Sequence, residues 1–164
     1  IVFPRNQWSQ SALTILSKYG ITAYRGTEDH FLYRARNETS QTNPAIRALR
    51  LLDHYINISG HHTYNITAIN HGNKHGLTHV PASRCLRPYS KKLSIFEPMR
   101  LRRIKRSMTH AAKYGEVFHL WWHPHNFGIH QKENFKNLTI ILDHYRHLKK
   151  TLGMESKNMS EVVR

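Results

Sequence analysis

A chain of 164 residues, with 39% hydrophobic and 10% aromatic side chains, is long and apolar enough to build one packed domain and too apolar to be disordered. Lys plus Arg outnumber Asp plus Glu by 25 to 10, a net charge of +15 with His neutral; that excess suits a polyanion such as nucleic acid, an anionic lipid surface or an acidic glycan, or balance by an acidic segment elsewhere. The single Cys85 excludes an internal disulfide and a thiolate zinc site, no apolar run approaches the ~20 residues of a membrane span, and the expected location is the cytoplasm.

Ile1-Val-Phe-Pro4 reads as the middle of a strand, so the chain is expected to begin inside a larger domain. Residues 9–19 follow a helical pattern with Leu13, Ile15 and Leu16 facing inward, ended by Gly20. A short strand, Ile21-Thr-Ala-Tyr-Arg25, comes next. Asn43-Pro44 pairs a polar cap with the proline that suits a first helical position. The helix it opens carries Ile46, Leu49, Leu52 and Ile56 on one side, and Gly60 lies beyond it. Residues 61–80 are rich in Gly, Asn and His and read as a long loop ending in a strand-like piece over 77–80.

A third helix over about 97–114 places Leu101, Ile104, Met108 and Ala111 on its apolar face, with Arg100, Arg102, Arg103, Lys105 and Arg106 on the other. Gly115 ends it, and Glu116-Val-Phe-His-Leu-Trp-Trp-His123 reads as the strongest strand. The last helix, about 131–152, turns Phe135, Leu138, Leu142, Tyr145 and Leu148 inward and stops at Gly153. Strands alternating with helices imply a parallel sheet, an open one or part of a (β/α) barrel. In either, ligands meet the C-terminal ends of the strands. The five sequons, at Asn37, Asn57, Asn65, Asn137 and Asn158, read as chance in a polar composition.

Along residues 117–123, Val117, His119, Trp121 and His123 share one face, while Phe118, Leu120 and Trp122 share an apolar one. An imidazole at the C-terminal end of a parallel strand, flanked by Trp, is placed to exchange a proton with a sugar; a buried His satisfied by one main-chain partner is the competing reading. His71, His75 and His79 have metal-ligand spacing for a helix, but Gly72 and Gly76 break that helix and no carboxylate or Cys completes the set. The 100–106 cations fit either phosphate binding or a solvated helix face. Arg84 and Arg87 flank Pro88-Tyr89 after a strand, which suits an acidic or hydroxyl-rich sugar or pairing with an acidic segment.

The run Trp121-Trp-His-Pro-His-Asn-Phe-Gly128, preceded by Phe118-His-Leu120, resembles the final motif of a subgroup of polysaccharide deacetylases of the NodB-like family. Ser83-Arg-Cys-Leu-Arg-Pro-Tyr89, the basic helix and Val2-Phe-Pro-Arg-Asn-Gln7 with Gly20-Ile-Thr-Ala-Tyr-Arg-Gly26 are similar to that subgroup too. The resemblance implies the C-terminal part of a distorted (β/α) barrel, with residues 1–164 forming one portion of a single domain. It implies metal-dependent hydrolysis of an N- or O-acetyl group on a carbohydrate, with His123 as the general acid. The divalent metal, zinc in most such enzymes, would be held by one Asp and two His expected ahead of Ile1, and the fragment alone is expected to be inactive.

The family's middle Arg-x-Pro-Tyr motif is not reproduced. Phe3-Pro-Arg-Asn6 stands near its place, which makes Arg5 the candidate for orienting the base or binding the oxyanion. Trp121, His125, Asn126, Arg25 and Arg87 are the expected substrate contacts. Two other readings stay open: a basic module for a polyanion, with nucleic acid disfavoured by the lack of any recognised binding motif, and a non-catalytic glycan-binding relative.

Overall fold

The computed structural model describes residues 1–28, 30–33, 43–71 and 76–163, with only the main chain of Arg5, Asn70 and His71. Helix α1 spans Gln10–Lys18, where the Ser9 hydroxyl accepts from the Ala12 N–H as an N-cap. Strand β1, Ala23–Gly26, pairs in parallel with β2, Thr78–Pro81, placing Ala23 opposite Thr78 and Gly26 opposite Pro81. On the other edge of β1, the Ile1 amino group donates to the Ala23 carbonyl and Arg25 N–H donates to the Ile1 carbonyl.

The extended chain beyond β2 changes partner. Ala82 N–H still bonds Gly26, but Ser83 N–H bonds His119, and β3, Arg84–Cys85, pairs in parallel with β4, Leu120–Trp121. The helices between these strands are α2, Pro44–Asp53; α3, Ile66–His71; and α4, Glu97–Tyr114. Helix α5, Gln131–Leu152, and the short α6, Met159–Val162, complete the described elements. The architecture is therefore mixed α/β with parallel strand pairs.

Alternation along β1 covers the strand on both faces, as a buried parallel pair requires. Tyr24 packs with Leu13 and Leu77 under α1. Ala23 packs with Ile69 and Val80, against Met159 and Val162 of α6. A third cluster joins α4 and α5 through Leu101, Ile104, Met108, Ile141 and Leu148, closed by Leu86 and Phe127. Its apolar atoms are what hold the β3–β4 pair in place.

The helices over 97–114 and 131–152 have the bounds the periodicity predicts, and Gly20, Gly60, Gly115 and Gly153 all take positive φ. Several faces differ from expectation. Ile15 is 55% exposed because α1 rests on Leu13 and Leu16 alone. The α2 stripe of Leu49, Leu52 and Ile56 is exposed, since the residue α2 buries is the charged Asp53. On α5, Phe135 and Leu142 point out, while Asn134 and Asn137 are buried.

Those two amides hold turns together: Asn134 Oδ1 accepts from Tyr89 N–H, and its Nδ2 donates to the Ile129 carbonyl. Asn137 Nδ2 donates to Glu97 Oε2 at 2.8 Å, so this sequon is sealed in the core. The expected loop over 61–80 contains α3. The expected strand over 116–123 pairs in parallel only at Leu120–Trp121; Val117 instead forms an antiparallel bridge with Tyr64. His79 stands in β2 rather than on a helix, and His75 and the His71 side chain lie outside the described residues.

Candidate functional site

The C-terminal ends of the strands bring together most of the residues singled out from the sequence. The Arg25 guanidinium of β1 stacks over the Trp121 ring of β4, 4.3 Å from its centroid. Asn6, in a left-handed turn at φ 54°, accepts from Arg25 through Oδ1 at 3.1 Å from Nη2 and 3.4 Å from Nε. Trp121 then meets His123 edge to face, with centroids 5.2 Å apart, and His123 lies 5.3 Å from His125.

Both imidazoles are exposed, so the competing expectation of a buried, satisfied His123 is not met. The turn that carries them is the 3₁₀ segment Pro124–Gly128, closed by Asn126 N–H bonding the His123 carbonyl. Asn126 thus shapes the turn through its main chain. Trp122, expected under helices with Phe118 and Leu120, instead lies over Phe127 at the surface. The buried indole N–H of Trp121 has no hydrogen-bond partner among the described residues. A buried donor without an acceptor is costly.

Arg87 is exposed beside β3 and makes no direct contact with this cluster, but its charge and that of Arg25 both reach the Cys85 thiol in the same neighbourhood. Burial, with the nearby Glu28 charge, pushes that thiol up to about 11, which removes it as a nucleophile near neutral pH. The Arg5 side chain lies outside the described residues. His119, on the inward face next to Trp121, bonds the Pro81 carbonyl through Nδ1, and burial holds its basicity down.

Two buried carboxylates, Glu28 and Asp53, stand outside the residues that the sequence singles out. Glu28, two residues beyond β1, is buried; desolvation pushes its carboxyl up to about 7 despite the opposing charges of Arg84 and Arg25. Its signal in the sequence was its position just past the end of a parallel strand. Asp53 is fully buried at the end of α2. It accepts from Tyr33 Oη at 2.7 Å, from the Ile58 and Ser59 N–H groups, from the Ser59 hydroxyl and from Arg84 and Arg103.

Burial alone would raise the Asp53 carboxyl, but bonds from Ser59 and Arg84 outweigh it and hold it well below the usual carboxylate range. Both guanidiniums also donate to the Gly60 carbonyl, at 2.7 and 2.6 Å. Arg84, Arg100 and Arg103 are therefore interior residues rather than a sugar-facing or solvated set. Arg100 is held by Glu97 and the Arg87 carbonyl.

Among the described residues, no three His, Cys, Asp or Glu side chains stand close enough together to hold a metal ion. No described helix is long and apolar enough to cross a membrane. Comparison with family models, curated proteins and solved structures finds no match to this chain.

Proposed function

We propose that the chain is the C-terminal portion of a carbohydrate deacetylase on a distorted (β/α) barrel, with the Arg25–Trp121–His123 cluster as its sugar-facing wall. The observation that carries the reading is that cluster: a guanidinium over an indole and an exposed imidazole against the same ring. All of it lies at the C-terminal ends of parallel strands, where ligands of α/β folds bind. The likeness of residues 121–128 to the final deacetylase motif points the same way.

In the reaction, water adds to the acetyl carbonyl, the bond from that carbon to nitrogen or oxygen breaks, and acetate leaves. The departing amine or alkoxide needs a proton, which His123 supplies. Arg25 binds the hydroxyl or carbonyl oxygens of the sugar, and the indole ring meets its C–H surface. Asn6 holds the guanidinium over that ring. The described residues do not supply a ligand set for the divalent metal of such enzymes, and the reading assigns its ligands to sequence ahead of Ile1.

Titrating the chain with N- and O-acetylated oligosaccharides while following the Trp121 indole N–H by NMR tests the reading. A saturable shift with an acetylated sugar, lost in Arg25→Ala, is expected. In the complete polypeptide, His123→Ala lowers acetate release by about 100-fold or more. A silent indole resonance across the sugar panel, or full activity without His123, sinks the proposal.

A further inference from the structure

A concavity away from the Arg25–Trp121 cluster lies between the outer face of α4, residues 55–61 and the His144 side of α5, with a volume of about 760 Å³. That size is typical of a small-ligand site. Arg102, Lys105, Arg106 and Lys113 line it from α4. The only carboxylate on α4 is Glu97, which is buried against Arg100 and Asn137. No described carboxylate pairs with Arg102, Lys105, Arg106 or Lys113.

Like charges one turn apart, as at Arg102 and Arg106, repel and weaken a helix. A solvated helix face normally interleaves them with acids. The same helix face continues into a stack of rings: His61, from the 55–61 side, lies on His110 with centroids 4.5 Å apart and planes at 24°, and the exposed Tyr114 leans on His110 at 4.5 Å. Glu116, beside His110, is engaged by Thr63 and His110, and Asp53 by Arg84 and Arg103.

From this juxtaposition we infer that the cleft binds a diphosphate-bearing ligand, a nucleoside diphosphate or a molecule built on one. Arg102 and Arg106 grip the diphosphate and the Tyr114–His110–His61 stack faces the base. Arg102 and Arg106 stand one turn apart, about 6 Å of helical rise, so their long side chains can converge on two phosphoryl groups sharing a bridging oxygen. Aromatic faces accept any base by stacking. The inference does not depend on the deacetylase reading.

Calorimetric titration of the chain with inorganic pyrophosphate, ADP, UDP, orthophosphate and a single-stranded 15-mer RNA provides the test. Saturable one-to-one binding of ADP or UDP is expected, with orthophosphate far weaker. The double variant Arg102→Gln, Arg106→Gln weakens it by about tenfold or more, whereas Arg146→Gln, on the exposed side of α5, leaves it unchanged. Tyr114→Ala weakens the nucleotides but not pyrophosphate. Pyrophosphate binding as tightly as ADP assigns the site to free diphosphate, the same chemistry from another source. Absence of saturable diphosphate binding, indifference to the double variant, or RNA binding tighter than ADP through the same arginines overturns the proposal.

Discussion

Arg84 Nη1 lies 2.5 Å from Asp53 Oδ2, with 2% and 0% of the two side chains exposed, and Arg103 reaches the other oxygen of the same carboxylate. One anion therefore stabilises two buried cations. Asp53→Asn leaves both guanidiniums in the core without a counter-charge, and an expected loss of about 3–5 kcal/mol follows. Urea unfolding of the variant against the parent measures it.

The same carboxylate gives the fold its acid sensitivity. Because the Asp53 carboxyl is held below its unfolded value, its contribution is complete above the ordinary carboxylate range and fades as pH falls through the lower folded value. A variant lacking the carboxylate would lose less stability than the parent between pH 5 and pH 2.

Glu28 works in the opposite direction. Its folded carboxyl titrates near 7, above the ordinary value near 4.5. Between those limits the folded state keeps a proton that the unfolded state has released, so stability falls as pH rises from about 4.5 to 7 and is flat beyond. The cost reaches roughly 3 kcal/mol at pH 8, accumulated at about 1.4 kcal/mol for each tenfold fall in proton concentration. Glu28→Gln should therefore match the parent at pH 4.5 and exceed its melting temperature at pH 8. A constant difference across that range would place the Glu28 proton elsewhere.

Legibility divided along the periodicity of the sequence. The helices over 97–114 and 131–152 were readable because long apolar stripes end at Gly115 and Gly153, which only a left-handed position explains. Arg25, Trp121, His123 and His125 were readable because they end strand-like runs. What failed was the sign of polar residues. Arg100, Arg103, Asn134, Asn137 and Asp53 look solvated in one dimension, and their burial depends on partners 3 to 50 positions away. Leu49, Leu52 and Phe135 look buried and are not, since each helix is turned by the polar network it joins.

Gly26 shows how closely the strands approach at the site. A Cβ there would fall inside the His79 ring of β2, which already rests on Tyr24. Neither ring can move without disturbing the packing under α1. Gly26→Ala is expected to cost about 1–3 kcal/mol by overpacking and to displace Arg25 from Trp121. Thermal unfolding reads the first effect. Loss of the cation–π contact would appear as a changed Trp121 indole resonance.

The basic cleft carries its own pH dependence. His61 is held less basic than usual by burial first, then by His110, Arg103, Arg84 and Arg106. It also shares a hydrogen bond with Ser107 Oγ at 3.2 Å. His110 meets Glu116, and His144 on α5 bonds Thr109 and the Lys105 carbonyl. A bound diphosphate offsets the cationic field and makes His61 more basic, so binding takes up a proton and tightens as pH falls. Proton and diphosphate binding are linked, so a tenfold rise in the proton affinity of His61 returns as an equal gain in diphosphate affinity. Between pH 7.5 and 5.5 the affinity of the parent for pyrophosphate should therefore gain up to about tenfold over that of His61→Asn. Comparing the two proteins cancels the titration of the ligand itself. Parallel pH profiles for parent and variant would remove His61 from the site.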